Sequence, residues 1–159
     1  MKKILVANRG EIALRVMKTA REMGIKTVAV YSEADRHSPH VRYADEAILL
    51  GPPPSSESYL LGEVIIEKAK ALNVDAIHPG YGFLSENKRF AEIIEEHNFK
   101  FIGPKSNHIG IMGNKIKARK IMQDNGVPIV PGLNDVNDIN QINKFIDEIG
   151  LPVIIKAAS

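Results

Sequence analysis

The sequence contains no cysteine and no tryptophan, and only five phenylalanines and four tyrosines among 159 residues. Without cysteine, disulfides, thiolate nucleophiles and cysteine-based metal sites are excluded, which fits a reducing compartment. So few aromatics exclude a base-stacking platform. The net charge is only +2, with lysines and arginines scattered rather than in a block, so nucleic acid is not the expected partner. No stretch approaches the ~20 apolar residues that cross a bilayer. Met1–Ala7 is basic and then apolar, but Asn8-Arg9 breaks that run well short of the roughly 7–15 residues of a signal core. The expectation is a cytoplasmic protein with no membrane span that opens on a buried strand. The rest of the composition, 44% hydrophobic and 25% charged, is that of an ordinary globular chain.

The first 103 residues read as strands alternating with helices. Lys3–Ala7 is a near-continuous apolar run, as in a strand covered on both faces. Ile12, Val16, Ala20 and Met23 then form a helical stripe, widened by Ala13 and Met17, with Glu11, Arg15, Lys18 and Glu22 opposite and Gly24 as the stop. Strands follow at Thr27–Tyr31 and Glu46–Leu50. The three prolines of Gly51–Ser56 make a loop, and a helix is predicted over Gly62–Leu72 on Val64, Ile65, Lys68, Ala69 and Leu72. Val74–His78 is a strand and Pro79–Leu84 a glycine-bearing loop. Ser85 is the expected cap of a helix whose face carries Phe90, Ile93, Ile94 and His97, and Lys100–Gly103 is a last strand. This alternation implies an α/β fold with a doubly wound, mostly parallel sheet and flanking helices.

From about Pro104 the texture changes. Helices are predicted at Ser106–Met112 and Lys115–Asn125, then a proline- and Asn/Asp-rich linker. Asp138 with Gln141 three residues on predicts a helix cap, followed by the stripe Ile139, Ile142, Phe145, Ile146, Ile149 and the stop Gly150. Leu151–Ala158 reads as an apolar strand carrying Lys156. With no strand after it to pair with, it suggests a truncated domain.

Ligands of open parallel sheets collect beyond the carboxyl ends of the strands. Asn8-Arg9-Gly10-Glu11 lies at one such end. It either offers helix amides to an anion, or is a plain turn in which Asn8 caps, Gly10 bends and Glu11 favours the positive helix end. His78–Asn87 lies at another, with Gly80 and Gly82 flanking Tyr81. Those glycines either admit a ligand to the backbone or only make a tight turn, and a lone His78 there is more often structural than a base. Lys115 opens a helix, where a cation is disfavoured unless an anion binds. Lys156 ends an apolar run, and it either reaches water or meets a phosphate.

Four segments occur in order: Val6-Ala7-Asn8-Arg9-Gly10-Glu11-Ile12-Ala13, His78-Pro79-Gly80-Tyr81-Gly82-Phe83-Leu84-Ser85-Glu86-Asn87, Phe101-Ile102-Gly103-Pro104 and Pro152-Val153-Ile154-Ile155-Lys156-Ala157. Together they resemble the biotin carboxylases, the ATP-dependent components of acetyl-CoA, pyruvate and propionyl-CoA carboxylases. The resemblance implies a Rossmann-like, pre-ATP-grasp N-terminal domain over residues 1–112 and the start of an ATP-grasp domain over residues 113–159. The family uses MgATP to activate bicarbonate as carboxyphosphate and carboxylates biotin on a biotin carboxyl carrier protein, working with a carboxyltransferase subunit. The resemblance assigns Lys115 and Lys156 to ATP phosphates, and Tyr81, Gly82 and Phe83, with Glu86 nearby, to the biotin pocket. It assigns Arg15, Lys18 and Glu22 to a homodimer interface; the plainer alternative is a solvated helix face on which these three pair.

The resemblance places the glycine-rich lid, the Mg²⁺ ligands, the bicarbonate-binding basic residues and the biotin-orienting arginine beyond Ser159. No catalytic residue is therefore expected within these 159 residues, and the chain alone is expected to be inactive. A strand directly after Met1 fits a separate bacterial- or archaeal-type subunit rather than an organellar precursor. The acyl acceptor stays open; acetyl-CoA would link the protein to fatty acid biosynthesis. The alternatives are another ATP-grasp ligase, of carbamoyl-phosphate or purine-pathway type, and a non-catalytic binding or dimerisation module.

Overall fold

The computed structural model describes residues 1–133 and 136–155. The chain divides into two compact units, Met1–Ile109 and Gly110–Ser159. In the first, β1 (Lys3–Val6), β2 (Lys26–Ser32), β3 (Glu46–Gly51), β4 (Ala76–His78) and β5 (Lys100–Phe101) form one sheet in the order β3-β2-β1-β4-β5. Every neighbouring pair is parallel, with Lys3 opposite Lys26, Ile4 opposite Ala76, Val28 opposite Glu46 and Ala76 opposite Lys100.

The two-residue period of a strand divides the sheet's side chains between two cores. Leu5, Val28, Val30 and Ile77 pack with Ile65, Ile66 and Ala69 of α3 (Gly62–Ala71) and with Phe90, Ala91, Ile93 and Ile94 of α4 (Lys88–Glu96). Ile4, Val6, Ala29 and Ala76 pack instead with Ala13, Met17 and Ala20 of α1 (Gly10–Glu22). Helices thus cover both faces, and the central strands need apolar side chains on each, which explains the unbroken apolar run of β1. The doubly wound parallel sheet expected from the sequence is the one observed.

Several local expectations are corrected. The buried stripe of α1 is Ala13, Met17 and Ala20, whereas Met23 lies past the last turn and is 66% exposed. Val16 packs half-buried against the same core. Arg9, not Asn8, occupies the cap position of α1. Asn87, not Ser85, caps α4, its side chain accepting from the Phe90 amide at 2.9 Å. A short helix, α2 (Pro39–Tyr43), lies where no element is predicted from the sequence; Pro39 sits at its start, where its missing N–H does no harm. Between β3 and α3 lies a short 3₁₀ turn, Ser55–Glu57.

α5 (Ser106–Met112) follows β5, and its Ile109 is buried in the first core. The second unit carries α6 (Lys115–Asp124), capped by Asn114, and α7 (Ile139–Ile149), capped by Asp138 and stopped by Gly150 at φ +79. Neither helix has a buried residue. The predicted strand Leu151–Ala158 is not formed over 151–155, where Ile154 and Ile155 are 82% and 77% exposed. A strand needs a neighbour for its backbone groups, and none pairs with 151–155 among the described residues. Its remainder, including Lys156, lies outside them. No described helix is long and apolar enough to cross a membrane.

Candidate functional site

The chain runs from β1 outward to β2 and β3, then crosses to the other side of β1 for β4 and β5. The strand order reverses between β1 and β4, so the connections leaving these two strands diverge and open a crevice beyond their carboxyl ends. A cleft of about 330 Å³ lies there, lined by Asn8, Arg9, Gly10, Glu11, Ile12, Tyr81, Gly82 and Phe83.

Asn8 binds the two connections together. It is 3% exposed, and its amide donates to the carbonyls of Pro79 at 2.7 Å and Tyr81 at 2.8 Å, while its Oδ1 accepts from the Arg9 amide at 2.9 Å. Gly80, at φ +67, leaves room for it. His78 is structural: its Nδ1 accepts from the Gly80 amide at 3.0 Å, and burial holds its pKa below the usual histidine value. Tyr81 is 61% exposed, and its hydroxyl donates to Glu11 Oε2 across the cleft at 3.4 Å.

Behind the cleft lies a polar and aromatic cluster that sequence reading did not identify. The rings of Tyr59 and Phe83 stack with centroids 5.2 Å apart and planes within 5°. The Arg9 guanidinium lies over both rings, at 5.9 and 5.8 Å, and 3.8 Å from Asp35 Oδ1. Asp35 Oδ2 accepts from the Tyr59 hydroxyl at 2.7 Å and from Ser32 Oγ at 3.2 Å; Oδ1 accepts from Ser38 Oγ at 3.2 Å. Burial pushes the Asp35 pKa up, but the Tyr59 hydrogen bond, the Arg9 charge and the two serines outweigh it and hold the carboxylate ionised. The Tyr59 phenol is pushed up to about 12 by burial and by the adjacent carboxylate. No spacing rule joins these residues; only the fold brings them to one sheet edge.

Of the residues singled out from the sequence, Tyr81, Gly82 and Phe83 meet in the cleft and Glu86 does not line it, standing exposed in the turn before α4. Lys115 is the exposed first residue of α6 in the second unit. Arg15, Lys18 and Glu22 are exposed on α1, and among the described residues none of them makes an ion pair. The alternative of an internally paired face is therefore not what this helix shows. Among the described residues no group of three or more His, Asp or Glu side chains is placed to hold a metal ion.

Two of the residues lining the cleft, Tyr81 and Phe83, are aromatic and two, Arg9 and Glu11, are charged. Comparison with known proteins agrees with its setting. Residues 114–159 match the ATP-binding domain of the carbamoyl-phosphate synthase L chain. Biotin carboxylase 2 of Bacillus subtilis is 53% identical over 158 residues, covering 99% of this chain and 36% of that protein. The biotin carboxylase of Haemophilus influenzae is 52% identical over 163 residues, again covering 99% and 36%. The chain thus spans about a third of the length of these relatives. The solved biotin carboxylase domain of a thermophilic 2-oxoglutarate carboxylase, bound to bicarbonate, superposes with a TM-score of 0.92 at 45% identity, covering 99% of this chain and 36% of that one. Residues 1–109 match the biotin carboxylase N-terminal domain, and the chain belongs to the biotin carboxylase family.

Proposed function

We propose that this chain is the N-terminal part of a biotin carboxylase that uses MgATP to activate bicarbonate and carboxylates biotin on a carrier protein. The observation that carries this reading is the cleft at the switch point, built from Asn8–Ile12 and Tyr81–Phe83, in a chain whose first 109 residues match that family's N-terminal domain. Tyr81, Gly82 and Phe83 border the biotin pocket, with Glu86 at its outer approach. Lys115 and Lys156 serve ATP phosphates, lysine being a compact charge suited to phosphate oxygens. Mg²⁺ enters with the nucleotide and neutralises its phosphates; a relative's domain crystallised as a dimer with MgADP and bicarbonate supports this. The domain boundary falls after Met112, so that residues 1–112 form the N-terminal domain and 113–159 open the ATP-grasp domain.

In this reading the protein is cytoplasmic and forms a homodimer through Arg15, Lys18 and Glu22. It serves a biotin carboxyl carrier protein and a carboxyltransferase, and the latter sets the acyl acceptor. Acetyl-CoA, leading to fatty acid biosynthesis, is one such acceptor beside pyruvate and propionyl-CoA. The chain of 159 residues by itself has no turnover.

The test is to extend the chain to the length of its relatives and measure ADP formation that requires both biotin and bicarbonate. Such turnover, with Lys115→Met raising the KM for ATP, supports the reading. Turnover independent of biotin would replace it with another ligase of the ATP-grasp type.

A further inference from the structure

The four connections at the carboxyl edge of the sheet are joined by a single cluster: Arg9 after β1, Asp35 after β2, Tyr59 after β3 and Phe83 after β4. Tyr59 is 2% exposed, and its hydroxyl is fully engaged, accepting from the Ser32 amide at 3.0 Å and donating to Asp35 at 2.7 Å. The ring it fixes is the one on which Phe83 stacks. Phe83 needs such a support. It is a non-glycine residue at φ +41, a conformation a side chain does not hold unless its surroundings impose it. Arg9 closes the cluster from the cleft side, held by both rings and by the Asp35 charge.

We propose that Asp35 and Tyr59 are positioning residues for the cleft: neither lines it, but together they hold Arg9 and Phe83, and with Phe83 the Tyr81–Phe83 backbone, in a single ligand-ready arrangement. Stacking fixes the Phe83 ring, and the ring fixes the strained residue that carries it. The hydroxyl–carboxylate bond stops the Tyr59 ring from sliding within the loop after β3. The same carboxylate sets the guanidinium at the cleft wall, where Arg9 makes no hydrogen bond from its side chain among the described residues and keeps its donors for a ligand. Preorganisation of this kind lowers the cost of ordering the site when ligand binds. As a statement about biotin, the proposal rests on the functional reading given above.

Tyr59→Phe keeps the stack and removes the hydroxyl; Asp35→Asn keeps the volume and removes the negative charge that faces Arg9. In the protein extended to its relatives' length, each is expected to raise the KM for biotin by about tenfold, the loss of a hydrogen bond to a charged group, with the KM for ATP unmoved. A role confined to folding would lower kcat through the fraction of folded protein and leave the KM for biotin at the wild-type value, and that result overturns the proposal. Absence of biotin-dependent turnover in the wild-type extended protein would instead sink the functional reading. Positioning is then decided in the 159-residue chain, by hydrogen exchange at the amides of Gly80 and Ser85, which bond to His78 and Gly82. Faster exchange there in Tyr59→Phe, with the Ile102 amide in the sheet unchanged, supports it; equal exchange overturns it.

Discussion

Asn8 and Gly80 interlock: a Cβ placed on Gly80 would lie 2.6 Å from Asn8 Nδ2 and 2.9 Å from its Cβ and Cγ. The glycine is required twice over, for its φ of +67 and for the space it leaves. Into that space goes the Asn8 side chain, which ties the β1 connection to the β4 connection through hydrogen bonds to Pro79 and Tyr81. The cleft therefore owes its shape to a contact between residues 72 positions apart in sequence (80 minus 8).

Gly80→Ala should accordingly destabilise the first unit by about 2–4 kcal/mol, the sum of left-handed strain and overpacking. Gly82 has nearly the same φ, +64, but open space around it, so Gly82→Ala should cost only about 1–2 kcal/mol, from strain alone. Urea unfolding followed by tyrosine fluorescence compares the two. Equal losses would mean that the Asn8 contact contributes nothing.

The same interlock predicts non-additivity. Asn8→Ala leaves the buried carbonyl of Pro79 without its donor and should cost about 2–3 kcal/mol. It also removes Nδ2, the atom closest to a new Cβ at position 80, and Cγ, so that of the three close contacts only the one to the Asn8 Cβ at 2.9 Å remains. The double variant should therefore lose less stability than the two single losses added together, by about 1 kcal/mol or more. Strict additivity in a double-mutant cycle would show that the two residues do not meet.

Much of this fold is legible in the sequence because α/β periodicity is strong. β1 is apolar after Lys3, α4 carries its buried residues at helical spacing, and glycines follow the strands where parallel sheets bind ligands. The parts that are not legible share one cause, that their partners are distant in sequence. Asn8 reads as a local cap, yet its amide is used across the sheet edge. Asp35 and Tyr59 sit 24 residues apart in unremarkable loops, and no spacing announces their hydrogen bond. Leu151–Ile155 has the composition of a strand, but composition supplies no pairing neighbour.

The correction at α4 can be tested directly. Asn87→Ala removes the side chain that accepts from the Phe90 amide and should cost about 1 kcal/mol, whereas Ser85→Ala should change stability by less than about 0.5 kcal/mol. Thermal unfolding of both variants measures this. A larger loss for Ser85→Ala would return the cap to the position that the sequence suggests.

His40 gives the first unit a pH dependence of definite sign. The ring is fully buried, Nε2 lies 3.3 Å from the Val30 carbonyl, and Nδ1 has no hydrogen-bond partner among the described residues. Burial lowers its pKa below the ordinary 6.5, and Arg9 adds to this, while the Val30 carbonyl and Asp35 oppose it without prevailing. The unfolded chain thus binds a proton that the folded one refuses. Stability is complete above the unfolded pKa and falls as pH drops below about 6.5 toward the folded value. His78, lowered by burial, acts in the same direction. Unfolding free energies measured from about pH 7 to 5 should decline, and His40→Gln should make the slope shallower, since the His40 contribution is then lost. An unchanged slope would show that His40 titrates normally in the fold.

In the proposed function the outward face of α1 forms the homodimer interface. Arg15, Lys18 and Glu22 are exposed and make no ion pair among the described residues, so replacing one of them removes nothing that holds the monomer together. In a two-fold interface each residue is used twice, and a reversed charge is repeated on both subunits. Arg15→Glu in the protein extended to its relatives' length should therefore lower the mass found by light scattering from dimer to monomer, with the melting temperature of the first unit unchanged. The effect should be largest at low ionic strength, where exposed charges are least screened. An unchanged dimer mass would place the interface elsewhere, and a monomeric wild type would remove the homodimer from the functional reading while leaving the cleft and its chemistry intact.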